Sequence, residues 1–192
     1  MLLKKIWETG KFPQDLLVGV ATACFKSGNA DLWSRYRIIV VFCVEFKIFS
    51  TMLYMRIMTE VQEYLSRWHF AFLRGRGTAD VHYIANQLYR KVCESGKRAM
   101  KVHVDYVSAF DSLSHVYLFK SLEKAGASAK TLQLFKATYR NAQVVARIGA
   151  LLSKPCAVER GVLEGDINSP IYFSIGLETV FREVDDLSLI HI

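Results

Sequence analysis

The stretch "KRAMKVHVDYVSAFDSL", residues 97–113, decides how the rest of the chain is read. A basic tract runs into the alternating apolar positions Met100, Val102 and Val104, the period of a half-buried strand, and the run ends on Asp105. Phe110 and Asp111 stand just beyond it. The spacing predicts a strand over 100–104 that delivers Asp105 to its end. A carboxylate in that position, beside a basic surface, is an oxygen donor of the kind a hard divalent cation such as Mg²⁺ takes together with substrate phosphates. Two such ions can stabilise the attacking and leaving oxygens of a phosphoryl transfer. The same residues also read as a strand-end aspartate that caps the next turn, and the spacing alone does not separate the two. His103 would share a strand face with Asp105 and reads as a packed or solvated histidine.

The bulk properties narrow the field. At 192 residues the chain is about one domain, or a large piece of a bigger protein. A hydrophobic content of 52% is ample for a core. The 25 Lys and Arg against 18 Asp and Glu leave +7, which favours an anionic partner, nucleic acid ahead of an acidic membrane surface. Cys24, Cys43, Cys93 and Cys156 are scattered singly, as expected of reduced thiols in an intracellular protein rather than of disulfides or a zinc site. The start, "MLLKKIWETGKFPQDL", has neither the apolar core nor the cleavage site of a signal peptide. The most apolar stretch is interrupted by Glu45 and Lys47 and falls short of the roughly 18 apolar residues of a membrane span. No membrane partner is expected.

Along the chain, "LLVGVATACF" (16–25) reads as a strand and "YRIIVV" (36–41) as its hairpin partner, across a polar loop with Gly28 and Asn29. Apolar residues fall into helical spacing from about Phe42 to Tyr64. "RGRGTAD" (74–80) is a basic glycine loop, with Thr78 as the cap of a helix running to about Cys93. Helices are expected over about 115–125 and 129–139, parted by Gly126. "AQVVARI" (142–148) and "KPCAVER" (154–160) suit a hairpin through Gly149. "GVLEGDINSP" (161–170) is a turn, and 171–184 a helix with Asn168 or Ser169 at its cap and Pro170 in its first turn. The pattern is α+β, helices packed on one face of an antiparallel sheet.

The order of these segments, from about Ile6 to Asp185, resembles the reverse transcriptase domain of non-LTR (LINE-like) retrotransposons. Five pieces carry the likeness: "WETGKFPQDL", "FKSGNADLWSRYRIIVV", "FLRGRGTAD", "VDYVSAFDSL" and "RGVLEGDINSP". The resemblance implies the fingers and partial palm of a right-hand polymerase, with residues 1–99 as fingers and 100–186 as palm. It implies Asp105 as the first catalytic carboxylate, binding Mg²⁺ (or Mn²⁺) with help from the Tyr106 backbone carbonyl. Phe110 becomes the gate that fills the space of a 2′-OH, and Lys26 and Arg37 neutralise the triphosphate of a deoxynucleotide, Arg by forked contacts. Gly165 lets backbone approach the nascent base pair, which a Cβ would obstruct. Arg74 and Arg76 touch the template backbone or form an exposed basic loop, and Glu164 and Ser169 belong to the nucleic-acid side of the site. Asp111 reads as structural or capping. Implied partners are an RNA template, a DNA primer and the rest of a retrotransposon polyprotein, with an endonuclease domain among the possibilities.

Departures from the family pattern mark particular positions. Ile38 stands where Pro is usual, Ala71 where Gly is, and Asn168 where Leu is common. Glu164 replaces a Gln and puts an anion near the nucleotide site, where it repels phosphate or template unless paired. The "VDDL" at 184–187 imitates the paired-Asp motif but comes too early, at the tail of a helix. The paired carboxylates belong on a later hairpin, so residues 1–192 alone are expected to be inactive. "LSLIHI" (187–192) is similar to a reading frame of a sequencing-library adapter and reads as a non-native tail, with a natural end as the alternative. Two rival readings accompany this one. The first is a non-catalytic RNA- or DNA-binding remnant. The second is a basic helical interaction protein with coincidental motifs, which would lack a strand at Asp105.

Overall fold

The computed structural model describes residues 2–187, and of residues 185–187 the backbone alone. In chain order the elements are α1 (Leu2–Thr9), β1 (Val18–Phe25), β2 (Tyr36–Val41), α2 (Val44–Val61), α3 (Thr78–Ser95), α4 (Ala109–Ser112), α5 (His115–Lys124), α6 (Ala129–Asn141), β3 (Gln143–Ile148), β4 (Leu151–Leu152), β5 (Cys156–Ala157) and α7 (Ser169–Leu187). The core is mainly helical. In α2 the buried positions Phe46, Phe49, Ser50, Leu53, Ile57 and Val61 recur at helical spacing and make one inward stripe. They meet Leu118 and Leu122 of α5, Leu134 and Phe135 of α6, and Ile171, Tyr172 and Ile175 of α7 in a single cluster. Burying each such aliphatic side chain contributes roughly 1.5–3 kcal/mol. Phe135 sets its ring edge-on to Tyr172 at 5.0 Å.

Polar contacts at the rim fix α7. Lys124 of α5 meets Glu183 at 2.6 Å, and Arg182 donates to the Tyr64 carbonyl oxygen while lying over the Tyr64 ring. Glu60 of α2 accepts from the Ser128 backbone N–H at the head of α6. Burial alone would raise the Glu60 pKa, but hydrogen bonds from Ser128, Thr131 and Arg56 outweigh it and hold the carboxyl below its usual value.

The sheet is mixed rather than antiparallel. β1 pairs antiparallel with β2, as its hairpin reading predicts, but parallel with β3, which also pairs antiparallel with β4 and β5. A long helical crossover between β2 and β3 makes the parallel pairing possible. The strand expected within 154–160 shrinks to Cys156–Ala157, and β4 takes the other half of the hairpin through Gly149. Strands from both sides of residue 99 share this one sheet.

Two further expectations change. Gly77, not Thr78, precedes α3, and Asp80 does the capping by accepting the Gly77 N–H at 2.8 Å. Residues 100–104 form no strand. They are exposed and have no ladder partner among the described residues, and a strand exists only through its ladder. Likewise α3 has no buried residue. No helix among the described residues is long and apolar enough to cross a membrane. The helix α7 does run through the 184–187 segment, and residues 188–192 of the expected tail lie outside the described residues.

Candidate functional site

The turn at 161–168 is the keystone of the site. On one side it clasps α4. Gly161 N–H donates to Leu113 O (2.7 Å), Val162 N–H to Phe110 O (2.8 Å), and the His115 ring nitrogen Nε2 lies 2.8 Å from Gly161 O. Gly161 has φ +80°, and a Cβ there would stand 2.9 Å from Asp111 backbone atoms. This close approach holds Phe110 half-buried, its ring 5.1 Å from Phe173 of α7. Phe173 also lines a small hollow of about 140 Å³ with Tyr106, Leu113 and Tyr117. The residue after Asp105 therefore sits beside the partner of Phe110.

On its other side the turn grips the β1–β2 hairpin. Val40 N–H donates to Glu164 O at 2.7 Å. Gly165 has φ +114°, and a Cβ on it would lie 2.1 Å from Val40 O, so only glycine fits. The close approach made at Gly165 is to the chain's own strand. Lys26, whose N–H bonds Arg35 O, and Arg37, which pairs with Cys24, are exposed on this hairpin. Both act on the Glu164 carboxyl. Partial burial raises the Glu164 pKa, Asp111 raises it further, and Arg37 and Lys26 pull it down. Asp111, Arg37 and Lys26, from two other segments, thus lie near enough to act on the Glu164 carboxyl through charge. Lys26 and Arg37 enter none of the ion pairs found among the described residues.

Beneath the turn lies a buried polar knot that the motifs do not announce. Ser50 Oγ donates to the Asp166 carboxylate, and Asn168 Nδ2 donates to Ser50 O (3.0 Å) and lies 2.6 Å from Ser50 Oγ. Burial pushes the Asp166 acid above the usual carboxylate range, against the hydrogen bonds of Ser50, Asn168 and Ile167. Ser50 carries the one signal legible beforehand. It is a hydroxyl within the buried stripe of α2, and a buried hydroxyl needs a partner.

Other expected residues stand apart. Asp105 is exposed on the unpaired stretch. Ser169 is buried, and its hydroxyl donates to Leu163 O at 2.6 Å, so it braces the turn from within and has no surface to offer nucleic acid. Arg76 spends Nη1 on the carbonyl oxygens of Ser66, Arg67 and His69, folding its own loop, while Arg74 is exposed. Asp105 and the Tyr106 carbonyl are oxygen donors of the right kind for Mg²⁺. Among the described residues, however, no group of three or more His, Cys, Asp or Glu converges to hold an ion. They fit one edge of a metal site, not a whole one.

Comparison with known proteins agrees with the motif order. The model of the family described as "Reverse transcriptase (RNA-dependent DNA polymerase)" matches residues 26–191. The chain belongs to the reverse transcriptase family. Two relatives carry the names of transposable elements. A Xenopus laevis protein named "Transposon TX1 uncharacterized 149 kDa protein" is 22% identical over 177 residues, 92% of this chain and 14% of that protein. A Drosophila melanogaster "Retrovirus-related Pol polyprotein from type-2 retrotransposable element R2DM" is 28% identical over 111 residues, 58% of this chain and 10% of that protein. This chain therefore spans a small fraction of each relative's length. Its likeness to non-LTR elements holds, and the reading of the motifs as coincidence falls despite the missing strand at Asp105.

Proposed function

We propose that this domain works in an RNA-directed DNA polymerase that copies an RNA template from a DNA primer, using deoxynucleoside triphosphates and a divalent cation, Mg²⁺ or Mn²⁺. The observation that carries the reading is the turn at 161–168, which holds the strand bearing Arg37 through Val40 N–H to Glu164 O and holds Phe110 through Val162 N–H to Phe110 O. In this reading the β1–β2 hairpin belongs to the fingers and presents two unpaired cations to the triphosphate. Arg37 suits forked contacts to phosphate oxygens, and Lys26 serves as a point charge. Phe110, clamped by Phe173, meets the sugar and disfavours a 2′-OH. Asp105 with the Tyr106 carbonyl supplies one side of the metal site, and the metal would neutralise charge developing on the transferred phosphate. The partners of Asp105 are paired carboxylates on a hairpin whose strand would also pair with 100–104. The host polyprotein and an intracellular setting belong to the same proposal.

Primer extension on an RNA template with Mg²⁺ tests it. A protein that joins this domain to the paired-carboxylate hairpin should synthesise DNA and lose about a hundred- to a thousandfold in rate on Asp105→Ala, the scale of losing a catalytic electrostatic group. Residues 1–192 alone should not extend. Robust synthesis by residues 1–192 that survives Asp105→Ala would overturn the assignment. The exposure of Asp105 without companion carboxylates favours one second reading, a non-catalytic RNA-binding remnant. That reading expects salt-dependent RNA binding, indifferent to Mg²⁺ and to Asp105→Ala.

A further inference from the structure

We propose that the far end of the sheet carries a stacking cup for one unpaired base of single-stranded RNA, built by Trp33, Tyr36 and Arg147. An open cavity of about 520 Å³ lies there, within the size range of small-ligand sites, and besides these three its lining includes Ala23, Ala30, Asp31, Ile148 and Gly149. The small residues Ala23, Ala30 and Gly149 leave room for a flat group between the aromatic wall and the cation.

The wall is built rather than incidental. Trp33 opens a single turn of 3-10 helix and packs on Tyr36 at 5.7 Å, and Tyr36 in turn meets Phe25 at 5.4 Å. The Tyr36 hydroxyl donates to Ala30 O and Asn29 Oδ1 accepts the Asp31 N–H, so the loop that carries Trp33 is tied to its own strand. Yet Trp33 stays 69% exposed. Its indole does not serve the core, and a rigid, solvent-facing aromatic is what a base needs for stacking.

Charge selects the occupant. Arg147 is the partner of Thr22 in the parallel β1–β3 ladder, and it enters none of the ion pairs found among the described residues. A free guanidinium beside an exposed indole suits a nucleotide, since phosphate and base are both satisfied. Asp31 is the one acid of the cup, and its carboxylate can accept from the exocyclic amine of a base. The net charge of +7 acts in the same direction at longer range. Asp105 and its metal play no part in the cup, so variants of the two sites fail separately.

The test is anisotropy of a labelled single-stranded RNA of roughly eight nucleotides, a common site length for such platforms, titrated with residues 1–192. Trp33→Ala should weaken binding about tenfold and Trp33→Phe much less, because stacking on one aromatic accounts for that scale. Arg147→Ala should also weaken binding and lower the slope of log affinity against log salt by about one. An RNA duplex of the same composition should compete poorly, its bases being already stacked. No binding by the unaltered chain, wild-type affinity in Trp33→Ala and Arg147→Ala, or equal affinity for the duplex would each overturn the cup, whatever Asp105→Ala does to synthesis.

Discussion

The turn at 161–168 and the stretch at 97–107 both bear motifs of the reverse transcriptase family, and both adjoin the Phe110–Phe173 pair, the turn through Val162 N–H to Phe110 O and the stretch through Tyr106. Their physical states are opposite. In the turn, Gly161, Val162 and Glu164 engage backbone groups of other segments, and Asp166, Asn168 and Ser169 are buried on polar partners. In the stretch, Met100, Val102, Val104 and Val107 are among the most exposed apolar residues of the chain. A motif alone does not fix geometry. The turn is held because its backbone finds partners within the domain, whereas the 97–107 backbone has none among the described residues.

Substitution can break this contrast at its strongest point. Gly165→Ala combines a left-handed φ with a collision on Val40 O, and should cost about 3 kcal/mol or more in denaturant unfolding. A wild-type midpoint would mean that the hairpin and turn are not in contact. Next in size, Ile175→Ala in the core should cost about 2–5 kcal/mol, while Val102→Ala should stay within about 0.5 kcal/mol. Equal losses at the two positions would show that residues 100–104 are packed in solution.

Smaller effects sharpen the comparison through pH. Because burial raises the Asp166 pKa, the folded chain holds that proton more tightly than the unfolded one. Its contribution is fully present below the unfolded value near about 4 and is lost as pH rises through the folded value. Asp166→Asn does not titrate, so stability measured against pH should fall less steeply over that range. A slope unchanged by the substitution would show that other carboxyls set it, Glu164 having the same sign. The smallest expected effect is at the turn. Glu164→Gln removes an anion near Arg37 and Lys26 and should tighten deoxynucleotide binding by roughly threefold, the scale of an exposed charge interaction. Weaker binding would mean that Glu164 orders the two cations rather than competing for them.

Most of the fold was legible where local chemistry decides it. The hairpin of β1 and β2, the stripe of α2, the pair α5 and α6 and the long α7 all follow from periodicity and turn residues. The parallel pairing of β1 with β3 was not, because a ladder between residues about 125 apart leaves no local trace. The site divides in the same way. The motifs point to Phe110 and to the hairpin of Lys26 and Arg37, and one turn bonds to both segments. The burial of Ser169 and the use of Arg76 Nη1 by its own loop are not legible, because a sequence does not show which polar groups the interior or a loop will consume. The Ser50–Asp166–Asn168 knot joins residues more than a hundred positions apart, so only the stray hydroxyl in the α2 stripe hinted at it.

The bond from Val40 N–H to Glu164 O, with Gly165 lying flat on the same strand, has a mechanical meaning. The β1–β2 hairpin and the head of α7 are coupled as parts of one lever. Arg37 shares its strand with Val40, whose N–H is bonded to the turn. From there the connection runs to Phe110 by way of Val162 and to the first residues of α7 by way of Ser169. The tip between Lys26 and Tyr36 lies outboard of this joint and is braced by its own bonds, Tyr36 hydroxyl to Ala30 O and Asp31 N–H to Asn29 Oδ1, so hairpin and turn form one braced unit.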